Sequence, residues 1–247
     1  MRAPRRGQQG SLAAQGRGRA TEYLERVHVD IAGPMHVPSA GGRLYLYVAV
    51  DDYTRAVYTW SLFLKSKAPD AFKAFRAPAD NESGKRLREV MTDNARELSM
   101  GEMRDICERD GVKLHTMVPY HPVSNRVAER ATGVLTATVC VVLHDAYLPT
   151  KLSTATYLRN RTPTRVLDGL TPFELLYGVK PDPADLQAFG VPCAIAEPSA
   201  KLKKLDDRAR FCVFVRYKYG SGGYRVWDPE RGVVVESRDV VFFEDGL

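Results

Sequence analysis

The sequence predicts an α/β protein with a mixed sheet, followed by a small, separate β-barrel. Three consecutive segments near the start alternate between apolar and polar residues, as strands do. The apolar residues then take up helical spacing, and the alternation returns from Phe189 onward. A chain of 247 residues is long enough for one sizeable domain and a second small one.

The first three elements are predicted strands over residues 26–31, 44–50 and 57–64. The second follows the Gly41-Gly42 turn, and the third follows a turn with the sequence Asp-Asp-Tyr-Thr. Because short connections favour antiparallel neighbours, these strands are expected to form a meander.

Helices and strands alternate in the next part of the chain. The spacing predicts a first helix, with one face formed by Ala68, Ala71, Phe72 and Phe75, and then a strand over 89–92. A second helix and a strand over 113–118 are predicted next, and one face of that helix carries Met100, Met103, Ile106 and Cys107. A long helix is predicted from an N-cap at Asn125 to about His144. Further helices are predicted over 153–161 and from the Thr171–Glu174 capping box to Gly178.

The positive charge is concentrated at the start of the chain. The net charge is +6, with 36 Lys and Arg against 30 Asp and Glu, and five of the arginines lie within residues 1–20, which hold no acid. The rest of the chain is therefore nearly neutral. We interpret residues 1–20 as a disordered basic leader, which is either a phosphate-contacting arm or a solvated segment without a partner.

The four cysteines and five histidines stand at spacings that do not match the usual zinc sites, since there is no C-x-x-C pair and no H-x₃₋₅-H pair. Scattered cysteines are typical of reduced thiols in an intracellular protein. No run of about 18 apolar residues occurs, so a membrane-spanning segment is not expected.

Three carboxylates occupy positions that suit a metal site. Asp30 lies within an apolar strand, and Asp93 directly follows the strand predicted over 89–92. Glu129 lies near the start of the long helix, with 35 residues between it and Asp93. Taken singly, each has an ordinary explanation as an ion pair, a turn residue or a helix-start charge. A buried acid is costly unless something neutralises it, and Mg²⁺ prefers oxygen ligands. Together the three acids indicate a two-metal phosphoryl-transfer site.

Six ordered stretches carry a resemblance to a known family: VHVDIAGPM (27–35), residues 51–67, TDNARE (92–97), VPYHPVSNRVAER (118–130), residues 157–182 and residues 224–242. The chain resembles the integrase core of copia-type LTR retrotransposon Pol polyproteins over about residues 22 to 245. The resemblance implies an RNase H-like fold, a mixed five-stranded sheet with flanking helices, over 21–182. It also implies an SH3-like β-barrel over 183–247.

The resemblance implies that Asp30, Asp93 and Glu129 are the catalytic acids of a polynucleotidyl transferase. Two Mg²⁺ or Mn²⁺ ions would serve 3′-end processing and strand transfer on DNA, with element ends and target DNA as partners. A homo-oligomer and a nuclear location are also implied. Two alternatives stay open: a catalytically inactive nucleic-acid-binding relic or interaction module, and a metal-dependent nuclease of the same fold.

Candidate contacts to DNA surround the predicted acids in sequence. Cationic side chains suit phosphate oxygens, and aromatic or amide groups before the long helix could touch a DNA end. Each is also explained as a solvated or packing residue. The candidates are Arg96, Lys113, Tyr120, His121, Asn125, Arg126 and Arg130.

The sequence also departs from the family pattern. The N-terminal zinc-binding region is missing, Ala95-Arg96 replaces two glycines, Asn125-Arg126 replaces Asn-Gly, and the stretch 148–153 is short and lacks an aromatic residue. Glycines permit positive φ and close approach of DNA, which Ala and Arg permit less readily. We therefore expect a truncated or degenerate copy whose fold survives and whose catalysis is impaired.

Overall fold

A computed structural model describes residues 18–35, 42–93, 95–116, 126–142, 151–183, 186–196, 209–217 and 223–243. Five strands form the first sheet: β1 (Arg26–Ala32), β2 (Tyr45–Asp51), β3 (Val57–Leu62), β4 (Glu89–Thr92) and β5 (Lys113–Thr116). The helices are α1 (Ala68–Ser83), α2 (Arg96–Ser99), α3 (Glu102–Arg109), α4 (Arg126–Val142), α5 (Lys151–Arg161) and α6 (Pro172–Tyr177). None of these helices is long and apolar enough to cross a membrane.

The first sheet has the strand order β3-β2-β1-β4-β5. The first three strands pair antiparallel, as the predicted meander requires, whereas β4 and β5 run parallel to β1. The predicted mixed five-stranded sheet with flanking helices is therefore confirmed.

Alternation along β1 separates the two faces of this sheet. Val27 and Val29 are fully buried in a cluster with α1 and α3. The opposite face packs against α4 and α5, where Val48 and Leu135 belong to a second cluster. Because successive strand residues point to opposite faces, Asp30 lies on the side of α4.

The second sheet is antiparallel throughout, in the order β10-β6-β7-β8-β9. Phe214 is fully buried at its centre and packs edge-on against Tyr217, Tyr224 and Phe242. The fold is SH3-like, as predicted. Its strands are β6 (Pro192–Ala196), β7 (Ala209–Tyr217), β8 (Tyr224–Asp228), β9 (Val233–Ser237) and β10 (Val240–Phe242).

Helix α5 joins the two sheets. On one side, the Asn160 side chain accepts a hydrogen bond from the Val57 N–H and donates one to the Val57 carbonyl, each at 2.8 Å, so it satisfies the edge strand β3. On the other side, the Tyr157 ring stacks on Tyr217 of β7 with centroids 3.7 Å apart. The Arg161 guanidinium carbon lies 3.4 Å from the Tyr157 centroid and 4.2 Å from that of Phe173. This cation–aromatic stack packs the SH3-like sheet on the first domain.

The helix predicted around Met100 differs from the observed one. Met103, Ile106 and Cys107 are buried on one face of α3, as predicted. Met100 is wrongly placed on that face, since it lies between α2 and α3 and is 57 % exposed. The cause is Gly101, whose φ of 59° interrupts the helix between them.

Several predicted boundaries are shifted or lie outside the described residues. The third strand ends at Leu62 rather than at residue 64. The Thr171–Glu174 capping box is present, and Gly178 ends α6 at a φ of 70°. Residues 117–118, the Asn125 cap and the helix end at His144 lie outside the described part of the chain.

A buried carboxylate anchors the end of the sheet where β2 turns into β3. Asp52, whose side chain is 5 % exposed, pairs with Arg55 at 2.8 Å, Arg26 at 3.3 Å and His28 at 3.3 Å. It also accepts a hydrogen bond from the Ala20 N–H at 2.8 Å. Burial alone would raise the pKa of Asp52, but these donors outweigh it and hold the pKa at about 2.

We expect Asp52 to make the stability of the fold sensitive to acid. The pKa of Asp52 is lower in the folded than in the unfolded protein, so its ionised carboxylate stabilises the folded state. This contribution to the free energy of unfolding is complete above the unfolded pKa of about 4 and is lost as the pH falls towards 2. The contribution is about 2 kcal/mol. The difference in unfolding free energy between wild type and Asp52→Asn, measured in urea, should shrink by that amount from pH 6 to pH 2. A difference independent of pH would contradict this assignment.

Candidate active site

Asp30 lies half-buried on β1 and faces α4. The Thr132 hydroxyl, on α4, donates a hydrogen bond to its Oδ2 at 3.1 Å. Burial raises the pKa of Asp30, and the hydrogen bonds from Thr132 and from the Ile31 N–H partly offset this. The negative charges of Asp93 and Glu129 raise that pKa further. Asp30 therefore lies within the electrostatic reach of both other predicted acids.

Asp93 lies immediately beyond the carboxyl end of β4. Strand β4 runs parallel to β1, and Thr92 lies opposite Val29. Asp93 and Asp30 are the residues that follow these two, so they lie side by side at the same edge of the sheet. The Ala95 N–H donates a hydrogen bond to Asp93 Oδ1 at 3.1 Å. This short turn holds the carboxylate at the end of the strand.

Glu129 lies in the first turn of α4 and is exposed. Its neighbours Ala128, Ala131 and Thr132 are buried on the face of α4 that packs against β1 and β2. Three different elements thus present one carboxylate each toward one edge of the sheet.

The donor set fits a divalent metal ion in its chemistry. Three carboxylates supply the oxygen ligands that Mg²⁺ and Mn²⁺ prefer, and a cation would relieve the repulsion that raises the pKa of Asp30. Within the described residues, however, no three His, Cys, Asp or Glu side chains lie close enough together to hold an ion as they stand. In the described part of the chain, the three acids therefore lie near one sheet edge without forming a complete ligand group.

Comparison with known families identifies both domains. Residues 20–122 match the family model described as integrase core domain, and residues 192–247 match that of the retroviral polymerase SH3-like domain. The chain therefore contains an integrase core domain followed by a retroviral SH3-like domain. The predicted resemblance to retrotransposon Pol polyproteins is confirmed.

Relatives of this integrase core and its SH3-like domain are known in sequence and in structure. The Retrovirus-related Pol polyprotein from transposon TNT 1-94 of Nicotiana tabacum is 32 % identical over 231 residues, which are 92 % of this chain and 17 % of that protein. The chain thus spans about a sixth of this curated relative.

Two solved structures share the fold. A simian T-cell lymphotropic virus intasome in complex with PP2A regulatory subunit B56 gamma matches with a TM-score of 0.54 and 16 % identity, over 96 % of this chain and 83 % of that chain. The HTLV-2 integrase catalytic core domain in complex with magnesium, in a trimeric form, matches with a TM-score of 0.50 and 17 % identity, over 64 % of this chain and 99 % of that one. At these identities the likeness concerns the fold alone.

The predicted DNA contacts of the integrase core are distributed unevenly. Arg96 opens α2 three residues after Asp93, while Arg126 and Arg130 flank Glu129 on α4, and all three are exposed. Lys113 is exposed too, but on β5 it lies opposite Glu89, the first residue of β4. At about 3.3 Å per residue, this position is about 13 Å along the sheet from Asp93. The structure does not bring Lys113 to the acids. Tyr120, His121 and Asn125 lie outside the described residues.

Ala95 and Arg96, which stand where the family pattern has two glycines, introduce no backbone strain into the integrase core. Ala95 adopts a φ of −57° and Arg96 is the first residue of α2, so neither position requires a positive φ. The part of the argument for impaired catalysis that rested on positive φ at these positions is therefore removed, whereas the part that rested on close approach of DNA stays a prediction.

Thr132 is the residue at this site that the sequence reasoning missed. It lies one helical turn beyond Glu129, on the same buried side of α4 as Ala128 and Leu135. The i, i+3 spacing from a predicted catalytic acid could have singled it out. Its bond to Asp30 could not be inferred, because the partners lie 102 residues apart.

Proposed function

We propose that this chain is the catalytic part of a DNA integrase, which processes 3′ ends and joins them to target DNA by way of Asp30, Asp93 and Glu129. The observation that carries the proposal is the placement of the acids: the parallel pairing of β1 with β4 sets Asp30 beside Asp93, and Thr132, one turn from Glu129 on α4, donates a hydrogen bond to Asp30. Three acids on three elements thus lie at one sheet edge. The integrase core match supports the same lineage.

The three acids would hold Mg²⁺ or Mn²⁺, two ions by family resemblance. When bound, such ions supply Lewis-acid polarisation of the phosphate and stabilise the attacking and leaving oxygens. The residues themselves orient the donors: Thr132 holds the Asp30 carboxylate and the Ala95 N–H holds that of Asp93. Exposed Glu129 would complete the set from α4.

DNA is the proposed partner. The exposed guanidinium groups of Arg96, Arg126 and Arg130 lie near the acids in the chain and would contact phosphates, so binding should weaken steeply with salt. A homo-oligomer is proposed, since the HTLV-2 core was solved in a trimeric form. A nuclear location is proposed with it, because the target is DNA.

A second candidate is a catalytically inactive DNA-binding module. It is favoured by the arrangement of the acids, since no three His, Cys, Asp or Glu side chains among the described residues are grouped so that they could hold a metal ion. Arg126, which stands where the family pattern has a glycine, agrees with the same reading, and for this reason we expect slower turnover than in an integrase with that glycine.

A strand-transfer assay separates the candidates. The protein is incubated with a labelled DNA duplex bearing a free 3′-hydroxyl, a supercoiled plasmid, and Mg²⁺ or Mn²⁺. We expect joined product from wild type and none from Asp30→Asn. Cleavage without joining would instead indicate a nuclease. Equal DNA binding by both proteins, with no product from either, would indicate the inactive module.

A further inference from the structure

We propose that Thr132 is a positioning residue, which orients the Asp30 carboxylate for the metal ion and fixes α4, with Glu129, against β1. The inference rests on the proposed function, because it assigns Asp30 and Glu129 to a shared cation. It concerns a side chain that is not one of the three proposed metal ligands.

The hydroxyl of Thr132 donates to a side chain of another element rather than to a carbonyl of its own helix. A threonine inside a helix commonly donates to the carbonyl four residues earlier. Thr138, on the same helix, does so with Val134 at 2.9 Å, and Thr156 on α5 does so with Leu152 at 2.8 Å. Thr132 instead donates across the interface to Asp30 Oδ2 at 3.1 Å. Since a hydroxyl has one proton, this bond is made in place of the local one.

The position of Thr132 makes this bond consequential. The residue is only 8 % exposed, so few competing water contacts are open to it. Its acceptor is a carboxylate, to which hydrogen bonds are stronger than to a neutral carbonyl. A single bond thereby restricts the rotamer of Asp30 and ties the strand that carries it to the helix that carries Glu129, one turn away. Groups that orient metal ligands in this way typically affect metal affinity.

The test is Mn²⁺ binding to the full chain, measured by electron paramagnetic resonance and calorimetry. Thr132→Val keeps the shape and removes the hydroxyl, and we expect it to weaken Mn²⁺ binding by about 10-fold or more. Thr132→Ser keeps the hydroxyl and should retain most of the wild-type affinity. Thr138→Val, which removes a hydroxyl from the same helix, is the matched control and should bind Mn²⁺ as wild type does.

Circular dichroism and thermal melts separate positioning from folding. If Thr132→Val fails to fold, Thr132→Ala provides a smaller side chain that also lacks the hydroxyl. Wild-type Mn²⁺ affinity in a folded hydroxyl-free variant, with binding abolished in Asp30→Asn, would overturn the role of Thr132 and leave the proposed function standing. Absence of Mn²⁺ binding in wild type, or equal binding by Asp30→Asn, would overturn both.

Discussion

Glu129→Gln is expected to lower strand transfer by about a thousandfold or more while leaving the fold intact. Replacing the carboxylate by an amide removes the negative charge that a metal ligand supplies, and metal-borne stabilisation of a phosphoryl transition state amounts to several kcal/mol. A loss of about 4 kcal/mol corresponds to about a thousandfold in rate. Because Glu129 is exposed in the first turn of α4, its isosteric replacement should scarcely change the unfolding free energy.

The matched control for this prediction is Glu230→Gln. Glu230 is also exposed, but it lies in the turn after β8 of the SH3-like sheet. Both variants change the net charge equally, so nonspecific weakening of DNA binding would affect both. Joined product should be lost in Glu129→Gln alone. Retention of most activity in that variant would remove Glu129 from the proposed site, whatever the role of the two aspartates.

The sheet could be predicted from local patterns, and the place of the acids from these patterns together with the family resemblance. Alternation predicts β1, whereas the grouping of Asp30 with Asp93 was expected from the needs of a two-metal site and from the family resemblance. The parallel pairing of β1 with β4 places these two acids at one edge. The long helix likewise carried Glu129 in its first turn, as expected. Periodicity and the order of the segments suffice for the α/β mixed sheet, whereas the assignment of the three acids needed the family resemblance as well.

The contacts that connect remote segments could not be predicted in this way. The stack of Tyr157 on Tyr217 and the bond of Thr132 to Asp30 depend on how α4 and α5 pack, which no local spacing encodes. The prediction that Met100 lies on the buried face of the helix was wrong for a different reason. Helical spacing continued through Gly101, but glycine at positive φ ended one helix and began another.

The expected effect of glycine loss on catalysis illustrates the same limit. Sequence comparison indicates which residue types have changed, but the cost depends on the backbone angles that the position requires. At Ala95 the φ of −57° suits any residue, so the change removes no necessary flexibility there. The remaining case for a degenerate copy therefore rests on the close approach of DNA that glycines permit, on Arg126 and on the stretch 148–153.

Phe214→Ala is expected to destabilise the SH3-like sheet by about 3–5 kcal/mol, as truncation of a fully buried phenylalanine typically does. Phe214 lies at the centre of an aromatic cluster with Tyr217, Tyr224 and Phe242. The matched control is Phe211→Ala on the same strand. Its ring is 70 % exposed, so its loss should change the unfolding free energy by less than about 0.5 kcal/mol.

The two tryptophans allow each domain to be followed separately. Trp60 lies on β3 of the integrase core and Trp227 on β8 of the SH3-like sheet, and the chain has two in total. In variants that keep one tryptophan each, Phe214→Ala should move the urea transition of Trp227 strongly and that of Trp60 much less. Equal shifts would contradict the predicted domain boundary near residue 183. They would mean that the Tyr157–Tyr217 stack couples the two sheets into one cooperative unit, since Tyr217 contacts both Phe214 and α5.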